Sequence, residues 1–100
     1  MLEKNLQRKV IAKIESFGLL CRPVSYRGRT GCPDLIVIAD PVIFLELKTL
    51  KGQTSAIQDR EIARINKAGV GAYVVRTLDE VDRILRLVYG SANKTEGVHA

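Results

Sequence analysis

Gly31-Cys32-Pro33-Asp34-Leu35-Ile36-Val37-Ile38-Ala39-Asp40-Pro41-Val42-Ile43-Phe44-Leu45-Glu46-Leu47-Lys48 decides how this chain is read. Two apolar runs, 34–39 and 42–48, flank the turn residues Asp40 and Pro41, the pattern of two consecutive strands. Both runs are nearly continuous, which predicts strands covered on both faces by helices. An acid opens the first run, and an acid and a lysine close the second. Side chains alternate along a strand, so Phe44, Glu46 and Lys48 share one face while Leu45 and Leu47 share the other. The spacing aims a carboxylate and an ammonium at the same point. Ionised groups at the ends of buried strands are costly unless a partner compensates them. A divalent cation bound by Asp34 and Glu46, with the backbone carbonyl of Leu47 as a further oxygen ligand, would do so. The competing reading is a salt bridge at a strand end, Lys48 with Glu46 or Asp34.

On the N-terminal side, Leu6, Val10, Ile14 and Phe17 recur at spacings of four, four and three among charged neighbours, which predicts an amphipathic helix over 3–17 closed by Gly18. Glu3 falls in its first turn, where the helix dipole favours an acid. Residues 19–26 read as a first strand, with Pro23 demanding an edge or a bulge. Arg27-Gly28-Arg29-Thr30-Gly31 is a glycine-rich loop with two guanidinium groups suited to phosphate oxygens. On the C-terminal side, Thr54 or Ser55 caps a helix over 56–68 with Ile57, Ile62 and Ile65 near one face. Gly69-Val70-Gly71 ends that helix and 72–76 is a fourth strand. Thr77 and Glu80 form a capping box for a helix reaching Tyr89, and 91–100 reads as a disordered tail. The order is αβββαβα: one α/β domain over 1–90, with a mixed sheet of about four strands flanked by helices.

The 100 residues, 46% hydrophobic, suffice for one modest core. A net charge of +5 favours a polyanionic partner. Cys21 and Cys32 lack CxxC spacing, and the only histidine, His99, is in the tail, so neither a His-based zinc site nor a Ser-His-Asp triad is expected. No apolar run approaches the ~20 residues of a membrane span, and the start shows no signal-peptide h-region, so a cytoplasmic location is expected. Lys4, Arg8, Arg60, Arg64, Arg83 and Arg86 read as ordinary solvated helix faces. Arg27, Arg29 and Lys51 flank the acidic motif and are the expected phosphate contacts.

Gly31-Cys32-Pro33-Asp34-Leu35 with Glu46-Leu47-Lys48 resembles the PD-(D/E)xK nuclease superfamily. Gln58, Gly69, Tyr73-Val74-Val75-Arg76 and Thr77-Leu78-Asp79-Glu80-Val81 narrow the resemblance to the VRR-NUC family, over about residues 2–88. Its stand-alone members are phage or bacterial proteins. The resemblance implies a restriction-endonuclease-like core and Mg²⁺- or Mn²⁺-dependent cleavage of DNA, with selectivity for branched structures such as four-way junctions or flaps. By position it implies Asp34 and Glu46 as metal ligands, Lys48 as catalytic lysine, Glu3 as the acid of the first helix and Gln58 near the active centre. On composition alone Gln58 would be a solvated residue. Thr77 stands after Val75-Arg76, so the family's second arginine is missing. Small members resemble junction-resolving homodimers, and a domain this small offers little surface for gripping DNA alone. A non-catalytic DNA-binding module on the same fold is the alternative, as is an interaction domain whose strand-end charges merely pair.

Overall fold

Leu6, Val10 and Ile14 lie on one side of α1 (Leu2–Ser16), Phe17 stands just past its end, and Val10, Ile14 and Phe17 are buried. Gly18 follows at φ 80°, a conformation that favours glycine, and its N–H donates to the Glu15 carbonyl at 2.9 Å. The structure is a computed structural model that describes residues 2–90, with side chains from Lys4 onward. The side chain of Glu3 and the tail 91–100, with His99, lie outside the described residues.

β1 (Leu20–Pro23) is shorter than the 19–26 expected, because Pro23 has no N–H to continue the ladder and the chain beyond it turns into the arginine loop. It pairs antiparallel with β2 (Leu35–Ile38), which pairs antiparallel with β3 (Ile43–Leu47). β4 (Gly71–Val75) lies parallel to β3, and such a pair requires a crossover, supplied by α2 (Ala56–Lys67). α3 (Leu78–Tyr89) ends the described chain. The sheet order β1-β2-β3-β4 puts β1 at an edge, where Pro23 is tolerated. The expected αβββαβα order and mixed four-stranded sheet are the observed ones.

Both later helices start as their sequences dictate. Ser55, not Thr54, caps α2: its hydroxyl accepts from the Gln58 N–H at 3.1 Å, and the Gln58 side chain accepts from the Ser55 N–H at 3.1 Å. Thr77 and Glu80 form the same reciprocal box on α3.

The core lies on one side of the sheet. Leu35, Val37, Leu45 and Leu47 pack there against Val10 and Ile14 of α1 and Val81 and Leu85 of α3, all eight fully buried. The other side differs from expectation. α2 packs against β4 and buries no residue completely, and the β1–β2 end is left open. Leu20 and Ile38, paired across β1 and β2, are each 44% exposed. The reason is in α2 itself: its inward positions at helical spacing are Gln58, Glu61, Ile62 and Ile65, half of them polar. A helix with that stripe serves a site better than a core.

Candidate active site

The β2–β3 register places the acidic motif. Asp34 donates its backbone N–H to the Leu45 carbonyl at 3.1 Å, extending the antiparallel pair by one residue, and the fully buried Pro33 fixes the approach. The Asp34 carboxylate then reaches across the strand and accepts from the Leu47 N–H at 2.8 Å. This bond fastens one acid beside the strand that carries the other. On β3, Leu45 and Leu47 face the core, so Glu46 faces α2, as alternation demands. Lys48 follows just past the strand, and its N–H donates to the Val75 carbonyl at 3.0 Å, so β4 holds the backbone of the lysine.

Glu46 is only 2% exposed, and a carboxylate so buried requires strong partners. It has them. The Gln58 amide donates to Glu46 Oε2 at 2.6 Å, and Lys48 Nζ lies 3.6 Å from the same oxygen. Glu46, Lys48 and Gln58 are thus in contact, and Asp34 is tied to the backbone between Glu46 and Lys48. Gln58 serves twice, its oxygen capping α2 and its nitrogen holding the acid. The strand-end salt bridge of the competing reading, Lys48 with Glu46, is present as well. Among the described residues no group of three or more His, Cys, Asp or Glu side chains is arranged to hold a metal ion.

Two features escaped the sequence. The first is Glu61, which stands three residues after Gln58 on the inward stripe of α2. Its Oε2 accepts from the Tyr26 hydroxyl at 2.5 Å, and its Oε1 lies 3.8 Å from Arg29 and 3.5 Å from Arg64. The Tyr26 hydrogen bond, ahead of the arginines, holds the Glu61 carboxyl below the usual carboxylate range. Desolvation, then the bond to Glu61, pushes the Tyr26 phenol up to about 12. An acid on the apolar stripe of a helix was the available signal. The second is the role of Arg76, whose guanidinium donates to the Thr49 carbonyl at 2.7 Å and also to the Gly52 carbonyl. It pins the loop that follows the Glu-x-Lys motif.

Arg76→Ala is expected to leave those two carbonyls without their donor and to destabilise the fold by about 1–3 kcal/mol. Thermal melting checks the loss, and proteolytic nicking within 49–53 checks that it is centred on this loop.

The expected phosphate contacts separate into two places. Arg27 is exposed on the glycine loop, and Arg29 from the same loop lies against α2. Lys51 lines a different hollow, with Leu6, Lys9, Leu50 and Arg76. Both cysteines are free, Cys21 in the core and Cys32 half-buried before the Pro-Asp pair. Burial, with Glu15 nearby, pushes the Cys21 thiol up to about 11. No described helix is long and apolar enough to cross a membrane.

No family model matches the sequence, and none of the curated proteins matches it. The fold finds a counterpart among solved structures, a chain described as a VRR_NUC domain. It superposes with a TM-score of 0.78 at 33% sequence identity, over 87% of this chain and 97% of that one. Identity at that level over nearly the whole of both chains, on a fold that carries the Pro-Asp and Glu-x-Lys residues together, is more than shared architecture: the chain belongs to the VRR-NUC family, a nuclease-type module.

Proposed function

We propose that this chain is a divalent-metal-dependent DNA endonuclease, selective for branched DNA such as four-way junctions or flaps. The observation that carries the reading is the pairing of Asp34, fastened to the Leu47 N–H, with a buried Glu46 held between Gln58 and Lys48. The donor set suits a hard cation: two carboxylates and the Leu47 carbonyl are all oxygen ligands, the chemistry Mg²⁺ and Mn²⁺ prefer. In this reading Asp34, Glu46 and Leu47 hold the ion, with Glu3 as an outer acid. When bound, the ion supplies Lewis-acid polarisation of the phosphate and makes water more acidic.

The chain's own residues supply the rest. Lys48 keeps its side chain 19% exposed. From there it orients the attacking water and stabilises the charge that grows on the phosphate oxygens. Gln58 keeps Glu46 aimed, since its own amide oxygen is committed to the helix cap and cannot swing away. Arg27, Arg29 and Lys51 bind backbone phosphates on either side of the centre. Labelled duplex, flap and four-way-junction substrates in Mg²⁺ and in Mn²⁺ test the reading. Cut product that requires the metal and is most abundant on a branched substrate is expected. Salt-dependent binding with no product in either metal would leave the non-catalytic DNA-binding module instead.

The active form proposed is a homodimer. Its support is the open β1–β2 end of the sheet, where Leu20 and Ile38 remain half exposed. Ile38→Lys is expected to convert a species of two chain masses into one of a single chain mass, as read by light scattering on a sizing column. A wild-type chain that elutes as a monomer at working concentrations ends the dimer proposal.

A further inference from the structure

An exposed flank of α2 and the glycine loop border an open cleft of about 400 Å³ lined by Arg29, Thr30, Ile57, Arg60 and Arg64. Arg60 and Arg64, one helical turn apart, stand on the flank of α2 that the loop approaches. Gly31 makes that approach close: at φ +95°, a Cβ on it would lie 3.1 Å from Ile57 Cγ2 and 3.4 Å from Glu61 Cβ. Any side chain there would be strained at that φ and would press on Ile57.

Three guanidinium groups in one cleft repel each other, and Glu61 supplies the only carboxylate seen to touch them among the described residues. It reaches Arg29 and Arg64 through one oxygen while Tyr26 holds the other. Three positive charges against one negative leave an excess of two. Exposed ion pairs of this kind stabilise a fold little. A planar, multidentate cationic cleft is instead what a phosphate diester requires. The position fits as well, because Ile57 in the cleft wall directly precedes Gln58, which bonds Glu46.

We infer that this cleft binds a DNA backbone phosphate beside the scissile one, with Arg60 and Arg64 joining Arg29 as contacts and Glu61 as a positioning residue. The inference rests on the nuclease reading above and names a DNA contact within it. It revises the expectation that Arg60 and Arg64 only solvate a helix face.

The test is fluorescence anisotropy of a labelled four-way junction and a plain duplex over a salt series, with the full chain carrying Lys48→Ala as parent. Arg60→Ala/Arg64→Ala is expected to make the slope of log K against log salt shallower by about 0.9, the share of one lost phosphate contact, and to weaken binding roughly tenfold near 0.1 M salt. Arg60→Lys/Arg64→Lys keeps the charges and should recover the slope, which a merely unfolded variant could not do. Arg83→Ala, exposed on α3 across the sheet, should match the parent. A double alanine variant that melts like the parent and keeps its slope overturns the inference alone. A parent that binds no DNA overturns the nuclease reading and this inference with it.

Discussion

Lys48→Ala is expected to abolish cleavage, lowering the rate by at least about 10³-fold, while DNA affinity changes by no more than about threefold. The asymmetry follows from where the lysine stands. Its backbone N–H is bound to Val75 and its Nζ lies 3.6 Å from Glu46, so it is held at the acidic centre rather than on an outlying surface. One ammonium among several phosphate contacts contributes little to binding. Aimed at the charge that develops in the transition state, as proposed, the same group would contribute several kcal/mol to the rate. Removing it also takes the ammonium away from a buried carboxylate, so a modest fall in melting temperature should accompany the loss. Single-turnover cleavage beside anisotropy binding decides the matter. Equal cleavage by wild type and variant would sink the catalytic role of Lys48 and most of the nuclease reading.

Asp34→Asn is expected to be nearly as severe for a different reason. The amide oxygen of Asn can still accept from the Leu47 N–H, so the β2–β3 geometry persists and the fold melts within a few degrees of wild type. What disappears is one of the two negative charges that would hold a hard cation. Calorimetric titration should show Mn²⁺ binding to the wild-type chain weakened by at least tenfold in the variant, and cleavage should fall about 10²–10³-fold. Thermal melting gives a second readout that does not depend on activity: Mn²⁺ raises the wild-type midpoint, because a ligand that binds only the folded state stabilises it, and leaves the variant nearly unmoved. Identical Mn²⁺ titrations for the two chains would remove Asp34 from the ligand set. Glu46 is a less clean probe, since replacing it also disturbs a buried pair.

Much of this was legible in residue order. The four-residue spacing of Leu6, Val10 and Ile14, the two capping boxes, the Pro23 edge and the paired apolar runs are local signals, and each element formed where they lie. The face shared by Glu46 and Lys48 follows from strand alternation alone. Other features were not legible because they depend on which element lies opposite. Ile36 and Ile38 read as core in an apolar run, yet their side of the sheet at β1–β2 is left open by the placement of α2. Ile57 read as an apolar face of its helix, yet it is 46% exposed and forms the wall of a cleft. Arg60 and Arg64 cannot be told from solvated residues until the glycine loop is laid beside them.

By itself, then, the sequence determined the elements, their order, the strand face of each charged residue and the family resemblance, because periodicity, capping and alternation act over a few neighbouring residues. Only the tertiary structure decided that Gln58 reaches Glu46, that Arg76 holds the loop after the motif, and that Tyr26 and Glu61 gather arginines from two segments. The Gln58–Glu46, Arg76–Thr49 and Tyr26–Glu61 contacts join residues between 12 and 35 positions apart, and their geometry is set by sheet register and by the crossover of α2. No local pattern encodes either.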